Sequence, residues 1–578
     1  MSMVDVVTVE VIRCCLEYIA EEMGIALRNA AYSPNIKERM DHSCAIFDKL
    51  GRLVAQAEHI PTHLGSMPWG VRNTLKYIEK EGMVLEPGDV IAVNDPHIAG
   101  THLNDVLILK PVFYRGELIA YVVNKAHQVD VGGKVPGSIS GDATEIYQEG
   151  LIIPPIKIIE KGRFRDDIVK LWLKNVRAPE MIIGDIRAQV AACNLGEKHL
   201  LELVEKYGTE TLNEVFDHIL KHCEELTRAA LRRLPDFVTE AEDYMEDVGE
   251  EGEAVIKVKV IKRGDEINID YSGSSPQVSA PVNAPMGVTI AATTFALKTV
   301  IAPDLPINDG FYRPVRITAP EGTIVNAKWP APVGASIETA QRIVDVLYLA
   351  LSRVLPEKVP AAACGSMNNV LIGGIDPETG RTWAFYETVA GGYGGRYGMD
   401  GVDAVHCNMT NTMNTPIEAI ERELPVLFTR YEIRPRSGGA GKWRGGMGVI
   451  RAFKLLAKRA VLTVVGERVK RSPWGLFGGL PGSPARYYVV RSNGEIEMLR
   501  SKESVVLHYG DEIVIETAGG GGYGDPLERE PRAVVTDYLN DLITEEDAEK
   551  LYGVVIRDGK LDEKSTEELR RRLRSTTK

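Results

Sequence analysis

The residues best suited to chemistry are clustered histidines. Six of the eleven histidines, His42, His59, His63, His97, His102 and His127, fall within residues 42–127, where an even spread would put fewer than two. Asp41, Asp95, Asp105 and Asp130 lie among them. Imidazole with carboxylate is a borderline-hard donor set that suits Zn, Mn or Fe(II). In NDPHIAGTHLNDVLIL, His102 and Asp105 stand three apart where a turn enters an apolar run. In NKAHQVDVGG, His127 ends a second such run. If the two runs are paired strands, the three side chains converge as a His/Asp/His set with open positions for water or substrate. Asp130 is then a further ligand or a carboxylate that orients a histidine. The alternative is that these histidines cap turns and hydrogen-bond within a polar core, and the HxxD spacing alone does not separate the two.

Other motifs carry less. His59 and His63 in AEHIPTHLGSM are four apart, but Pro61 between them argues against a regular helix, leaving substrate contact, support of the ligands or a structural role open. Arg39, Asp41 and His42 read as a salt-bridged turn. GAGKW offers a Gly-Lys pair, but Trp443 follows where a phosphate-binding loop needs Ser or Thr. GGGGYGDP lacks the strand–turn–helix setting of a dinucleotide fingerprint, so the glycines are read as permitting tight turns and close backbone approach. Cys364 and Cys407 are candidate nucleophiles, with a buried thiol as the plainer reading.

These residues need elements to hold them. Apolar spacing predicts a helix over 6–32, a hairpin about Lys49-Leu50-Gly51, a helix over 69–82, and strands in VIAVNDP and VLILKPVFYRGELIAYVVNKAH. A helical stretch over 186–233 breaks near Tyr207-Gly208, and short alternating strands begin near 254. Helical patterns return at 287–301 and 336–354, and residues 364–525 are glycine- and strand-rich. The expected fold class is α+β, a large mixed fold. Residues 1–240 form a mixed region carrying the metal, 241–525 a β-rich, glycine-rich region, and 526–578 a helical tail that docks on a partner or lies in solvent.

Composition bounds the function. The chain's 578 residues exceed a single domain of about 150. A net charge of −13 argues against nucleic acid as a partner, and no run of about 18 apolar residues suggests a membrane span. Seven cysteines without a CxxC pair predict reduced, mostly buried thiols and a cytoplasmic protein. Only six glutamines amid abundant charge lean towards a thermophilic source.

The runs AIFDKLGRLVAQAEHIPTHLGSM, NDPHIAGTHLNDVLILKPVF, AHQVDVGG, EGLIIPPIKI, PEGTIVNAKWPAPVGA, MTNTMNTPIEAIE, RSGGAGKWRGGMGVIR and GGGGYGDPLERE, in this order, resemble the hydantoinase B family over about residues 5–560. That family includes the N-methylhydantoinase B subunit, the C-terminal part of 5-oxoprolinase and the larger subunits of acetone and acetophenone carboxylases. The resemblance implies a two-part enzyme in which a hydantoinase A-type ATPase subunit uses ATP, giving a hetero-oligomer. It also implies a divalent metal, Mn, Zn or Fe, on His102, Asp105 and His127, with Asp130, His59 or His63 as general base. The leading expectation is the metal-bearing subunit of an ATP-dependent hydrolase of small cyclic amides, a hydantoin or 5-oxoproline, inactive without its partner. A ketone carboxylase subunit is the second expectation, and a non-catalytic assembly subunit with a structural metal is the third.

Overall fold

A computed structural model describes residues 4–376, 380 and 382–576. Helix α1 (Val6–Ala30) starts where the Asp5 carboxylate accepts from Thr8 N at 3.0 Å. Its buried residues Ile12, Leu16, Ile19, Met23 and Leu27 recur at three and four. There follow α2 (Pro34–Lys37), β1 (His42–Asp48), β2 (Leu53–Gln56), α3 (Pro61–Lys80), β3 (Val90–Val93), α4 (Pro96–Ala99), β4 (Asp105–Tyr114) and β5 (Glu117–His127). Then come β6 (Ile156–Glu160), β7 (Arg163–Phe164), α5 (Asp166–Leu173), α6 (Pro179–Tyr207) and α7 (Thr209–Arg232), so the helical break falls at Gly208.

Strands β1 to β7 form one antiparallel sheet in the order β2-β1-β5-β4-β3-β6-β7. Alternation divides its side chains. Val106, Ile108 and Val122 join α1 and α6 in one core, whereas Leu107, Leu109, Tyr121 and Val123 pack on Leu64, Met67 and Val71 of α3. A one-residue slip would exchange the two sets, so the register is strongly specified. That register pairs Asp105 with His127.

The middle of the chain adds β8 (Phe237–Glu246), β9 (Glu253–Arg263), β10 (Glu266–Asp270), α8 (Met286–Ile301), α9 (Asp309–Tyr312), β11 (Val315–Thr318) and α10 (Ser336–Ser352). Strands β11-β10-β9-β8 make a second sheet, with β10 and β11 parallel. Helices α8 and α10 pack with it in one core. Helix α8 also meets α3, so closely that a Cβ on Gly65 would stand 2.5 Å from Ala291 Cα. Next come β12 (Asn369–Ile375), β13 (Thr382–Thr388), α11 (Ile417–Glu423), β14 (Val426–Ile433), β15 (Val449–Leu455), β16 (Arg459–Val465), β17 (Arg486–Val490), β18 (Ile496–Leu499), β19 (Lys502–His508) and β20 (Glu512–Glu516). They build the sheets β13-β12-β16-β19 and β14-β15-β20-β17-β18.

Between these sheets run the glycine-rich segments. Of the glycines in 391–401, 438–448, 475–482 and 519–524, only Gly398, Gly478 and Gly524 have positive φ. Close approach, more than turning, is what they supply. Gly520 N donates to Gly446 O at 2.9 Å, Gly395 N to Gly521 O at 2.8 Å, and Gly521 N to Ala362 O at 2.8 Å. A Cβ on Gly445 would stand 1.9 Å from Gly520 O. The tail packs on its own chain: Val534, Ile543, Ala548 and Tyr552 share a core with Ala440 and Met447, and Arg436 pairs with Asp547 at 2.7 Å. Among the described residues no helix is long and apolar enough to cross a membrane. The chain is thus a mixed fold of helices and several sheets, as its patterning predicts.

Candidate functional site

Asp105 opens β4 and His127 closes β5, directly across the ladder. Both lie on the strand face that packs against α3. His102 precedes β4 by one turn, and Asp105 N donates to His102 O at 3.1 Å. Pro61, at the first turn of α3, places His63 over the same point. Proline there costs no hydrogen bond, since first-turn N–H groups have no helical partner. The expectation that Pro61 prevents a helix is therefore corrected: it begins one.

Three imidazole nitrogens converge on one carboxylate oxygen. His63 Nε2, His102 Nε2 and His127 Nδ1 each lie 3.2 Å from Asp105 Oδ1. The ligand atoms of His102, Asp105 and His127 all fall within 4.8 Å of one another. Ligands about 2.1 Å from a cation stand about 3.0 Å apart along an octahedral edge and about 3.4 Å along a tetrahedral one. The 3.2 Å separations from Asp105 lie between those values. Donor type and spacing both fit a divalent ion on His102, Asp105 and His127.

Electrostatics agree with this. Burial works against a charged Asp105, but the His102 and His63 imidazoles outweigh it and hold the carboxyl well below the usual carboxylate range. Burial also works to lower His102, yet Asp105 beside it raises the ring overall. His127 is lowered by burial, which its contact with Asp105 only partly offsets. His63 Nδ1, His102 Nδ1 and His127 Nε2 are buried without a hydrogen-bond partner. Behind them, the buried Lys125 donates to Ser66 Oγ and Ala99 O, both at 2.9 Å, and burial brings its amine down to about 8.

The cavity over this cluster has walls from distant parts of the chain. Ile60 and Thr62 come from the entry to α3, Ser336 and Ile337 from the start of α10, Tyr386 from β13, and Met409, Thr410 and Thr412 from the loop before α11. The free space is about 30 Å³, enough for an ion or one or two waters.

Two residues that sequence reasoning missed stand out. The salt-bridged turn expected of Asp41 and Arg39 is present, with Arg39 3.6 Å from Asp41 Oδ2. Yet Asp41 Oδ1 also lies 3.8 Å from His63 Nε2, and its carboxylate lines the cavity. Its place between Arg39 and the histidine-rich run was the available signal. Tyr386 stacks on His127 with centroids 4.7 Å apart, and the Arg39 guanidinium sits 4.5 Å from the Tyr386 ring centroid. No local pattern could announce a contact spanning 347 residues, as Arg39 to Tyr386 does.

Other sequence candidates lie elsewhere. His42 pairs with Ala126, one residue out of phase with His127, so it faces α1 with His59, their centroids 5.0 Å apart. His59 Nδ1 accepts from Cys44 N at 3.2 Å, and His59 does not line the cavity. Asp130 is occupied by the loop it braces: its oxygens accept from Gly132 N, Gly137 N, Arg177 N and Arg177 Nη1 at 2.9–3.1 Å. Of the three general-base candidates, the structure brings only His63 to the cluster.

The fold has known counterparts. A model of the family described as Hydantoinase B/oxoprolinase matches residues 5–526. A protein of Methanocaldococcus jannaschii is 49% identical over 96% of this chain and 96% of its own. Caprolactamase subunit beta of Pseudomonas jessenii is 34% identical over 98% of this chain and 99% of its own. The crystal structure of the ATP-dependent caprolactamase of that organism matches 99% of this chain and 100% of its own at a TM-score of 0.91 and 33% identity. Nucleotide-free acetone carboxylase shares the fold, with a TM-score of 0.92 at 21% identity over 99% of this chain and 83% of its own. A family model spanning nearly the whole chain, and close relatives of equal length, make the chain a member of the hydantoinase B/oxoprolinase family.

Proposed function

We propose that this chain is the metal-bearing subunit of an ATP-dependent cyclic amide hydrolase, working in the cytoplasm with a hydantoinase A-type ATPase subunit. The observation that carries this reading is the convergence of His63, His102 and His127 on one buried oxygen of Asp105 beneath a cavity. His102, Asp105 and His127 would hold the cation, whether Mn, Zn or Fe. When bound, such an ion lowers the pKa of water and stabilises negative charge developing on an amide oxygen.

A cyclic amide carbonyl is a weak electrophile, and phosphorylation of its oxygen by the partner would make that oxygen a leaving group. The residues of this chain then receive the activated ring. Asp41 replaces Asp130 as the candidate proton acceptor: it is buried, lines the cavity and stands 3.6 Å from the Arg39 guanidinium. His63, between Asp105 and Asp41, can pass the proton on. Thr101, Thr410 and Thr412 offer hydroxyls to substrate oxygens, and Ile60, Ile337, Met367 and Met409 limit water at the reacting centre. The free space is too small for a lactam ring, so substrate entry requires the wall to move.

Metal analysis of the purified chain beside a His127→Ala variant tests the reading. About one Mn, Zn or Fe per chain, lost in the variant, supports it. Activity on 5-oxoproline or a hydantoin should then need ATP and the partner. A wild-type chain that takes up no metal, or turnover without the partner, overturns it. Product that forms only with a ketone and bicarbonate would assign the carboxylase reading instead.

A further inference from the structure

Two cysteines meet in the dry interior behind the cavity wall. Cys364 Sγ and Cys407 Sγ lie 3.1 Å apart, and each residue is 1% exposed. The remaining contacts of these sulfurs, to Ser366 O, Gly392 O and Val405 O, run from 3.5 to 3.7 Å. The sulfur–sulfur contact is thus the shortest that either makes. No imidazole or carboxylate is among those hydrogen-bond partners, so neither thiol is set up as a nucleophile.

The backbone holds the pair together. Gly391 and Val405 exchange both of their hydrogen bonds, at 3.1 and 2.9 Å, and Cys364 N donates to Gly392 O at 2.8 Å. Both cysteine-bearing segments are therefore fastened to one stretch, residues 391–392. Gly391 has no room for a side chain, because a Cβ there would stand 2.4 Å from Cys364 Sγ. To bond, the sulfurs need to close by about 1 Å, to the disulfide length of about 2.05 Å.

We propose that Cys364 and Cys407 are a disulfide-forming pair, a covalent staple across the glycine bundle. In the reaction the two thiols together give up two electrons and two protons and one S–S bond forms. A small organic disulfide accepts both and leaves as two thiols. The bond closes a loop spanning 43 residues. It anchors the base of the segment that carries Met409, Thr410 and Thr412 to the cavity, where Gln341 Nε2 already bonds Cys407 O at 3.2 Å and Thr410 Oγ at 3.1 Å. Disulfides are frequent in intracellular proteins of hyperthermophiles, the direction in which the low glutamine count leans. In the structure all seven cysteines are free thiols and five are buried, as expected; the staple would oxidise two of the buried ones.

The test uses the full chain with the solvent-facing pair removed, Cys14→Ser with Cys15→Ser, so that adducts there do not confuse the count. One sample is kept in reductant. The other is oxidised with glutathione disulfide, both folded just below its melting point and during refolding from denaturant. After denaturation and maleimide labelling, the reduced sample should carry five labels and the oxidised sample three. A peptide map should join Cys364 to Cys407, and the oxidised form should melt higher by about 3 °C or more. Adding Cys364→Ala should abolish both the link and the gain. Five labels after both oxidations, glutathione adducts in place of a link, or a link between other cysteines would overturn the proposal.

Discussion

Two buried polar clusters in this molecule have similar ingredients and opposite states. One joins β8, α10 and the ends of β16 and β19: Arg342, Arg468 and Lys502 meet Asp243, Asp345 and Glu467, with the buried Glu246 beside them. Arg468 reaches Asp345 at 2.7 Å and Asp243 at 3.0 Å, and Trp474 Nε1 donates to Asp243 at 3.2 Å. The other is the cavity cluster, where three imidazoles crowd one oxygen and each keeps a nitrogen without a partner. In the first, every charged group meets an opposite charge of the chain, although Arg342 Nε and Arg468 Nε have no partner. In the second, three rings share a single carboxylate oxygen and each leaves a ring nitrogen unused, which is how a ligand site differs from an internal brace.

The largest test of that contrast is to break each cluster. Arg342→Met leaves Asp243, Asp345 and Glu467 with only Arg468 and Lys502 to balance them and should cost about 3–5 kcal/mol in denaturant unfolding. Asp105→Asn should change the stability of the metal-free chain by no more than about 1 kcal/mol, because an imidazole can shed its proton where a guanidinium cannot. The same change should abolish metal uptake and turnover. Equal destabilisation by both variants would erase the distinction.

A smaller effect separates His59 from His63. His63→Gln should lower kcat by about 10²-fold, as loss of a proton-transfer group does. His59→Gln should leave kcat within about threefold while costing about 1 kcal/mol of stability through the lost bond from Cys44 N. Parallel kinetics with the ATPase partner would check both, and a reversed order would move the chemistry to the α1 face.

The smallest expected effect is in acid. Burial works to raise Asp243, but Arg468 and Arg342 outweigh it and depress its carboxyl. A depressed folded pKa contributes stability that is present above the unfolded value of about 4 and lost as pH falls through the lower folded one. Asp345 and Glu467, raised mainly by burial, act in the opposite sense. Between pH 5 and pH 3, at about 1 kcal/mol resolution, wild type should therefore lose more stability than Asp243→Asn, measured from denaturant midpoints. Identical slopes would show that Asp243 carries no such linkage.

Much of the fold was legible because its elements are specified locally. The three–four spacing in α1, the break at Gly208 and the turn at Gly51 all lie within one or two turns of chain. His102, Asp105 and His127 were legible for the same reason: a single hairpin brings them together, and the register follows from its alternating apolar faces. Pro61 misled because its meaning depends on position, disruptive inside a helix and harmless in the first turn.

What the sequence determined by itself was the donor set, the hairpin that presents it and the density of glycine. Each depends on residues close in the chain or on backbone freedom at one position. What only the tertiary structure decided was which faces meet. Strand parity sends His42 to α1 and His127 to the cavity, while the loop before α3 seats His59 beside His42 and the first turn of α3 brings His63 to His127's side. Asp130 is spent on Arg177, Asp41 is turned towards His63, and Tyr386 arrives from β13 to stack on His127. Such contacts join segments tens to hundreds of residues apart, and they are set by the packing of whole sheets and helices, which local spacing does not encode.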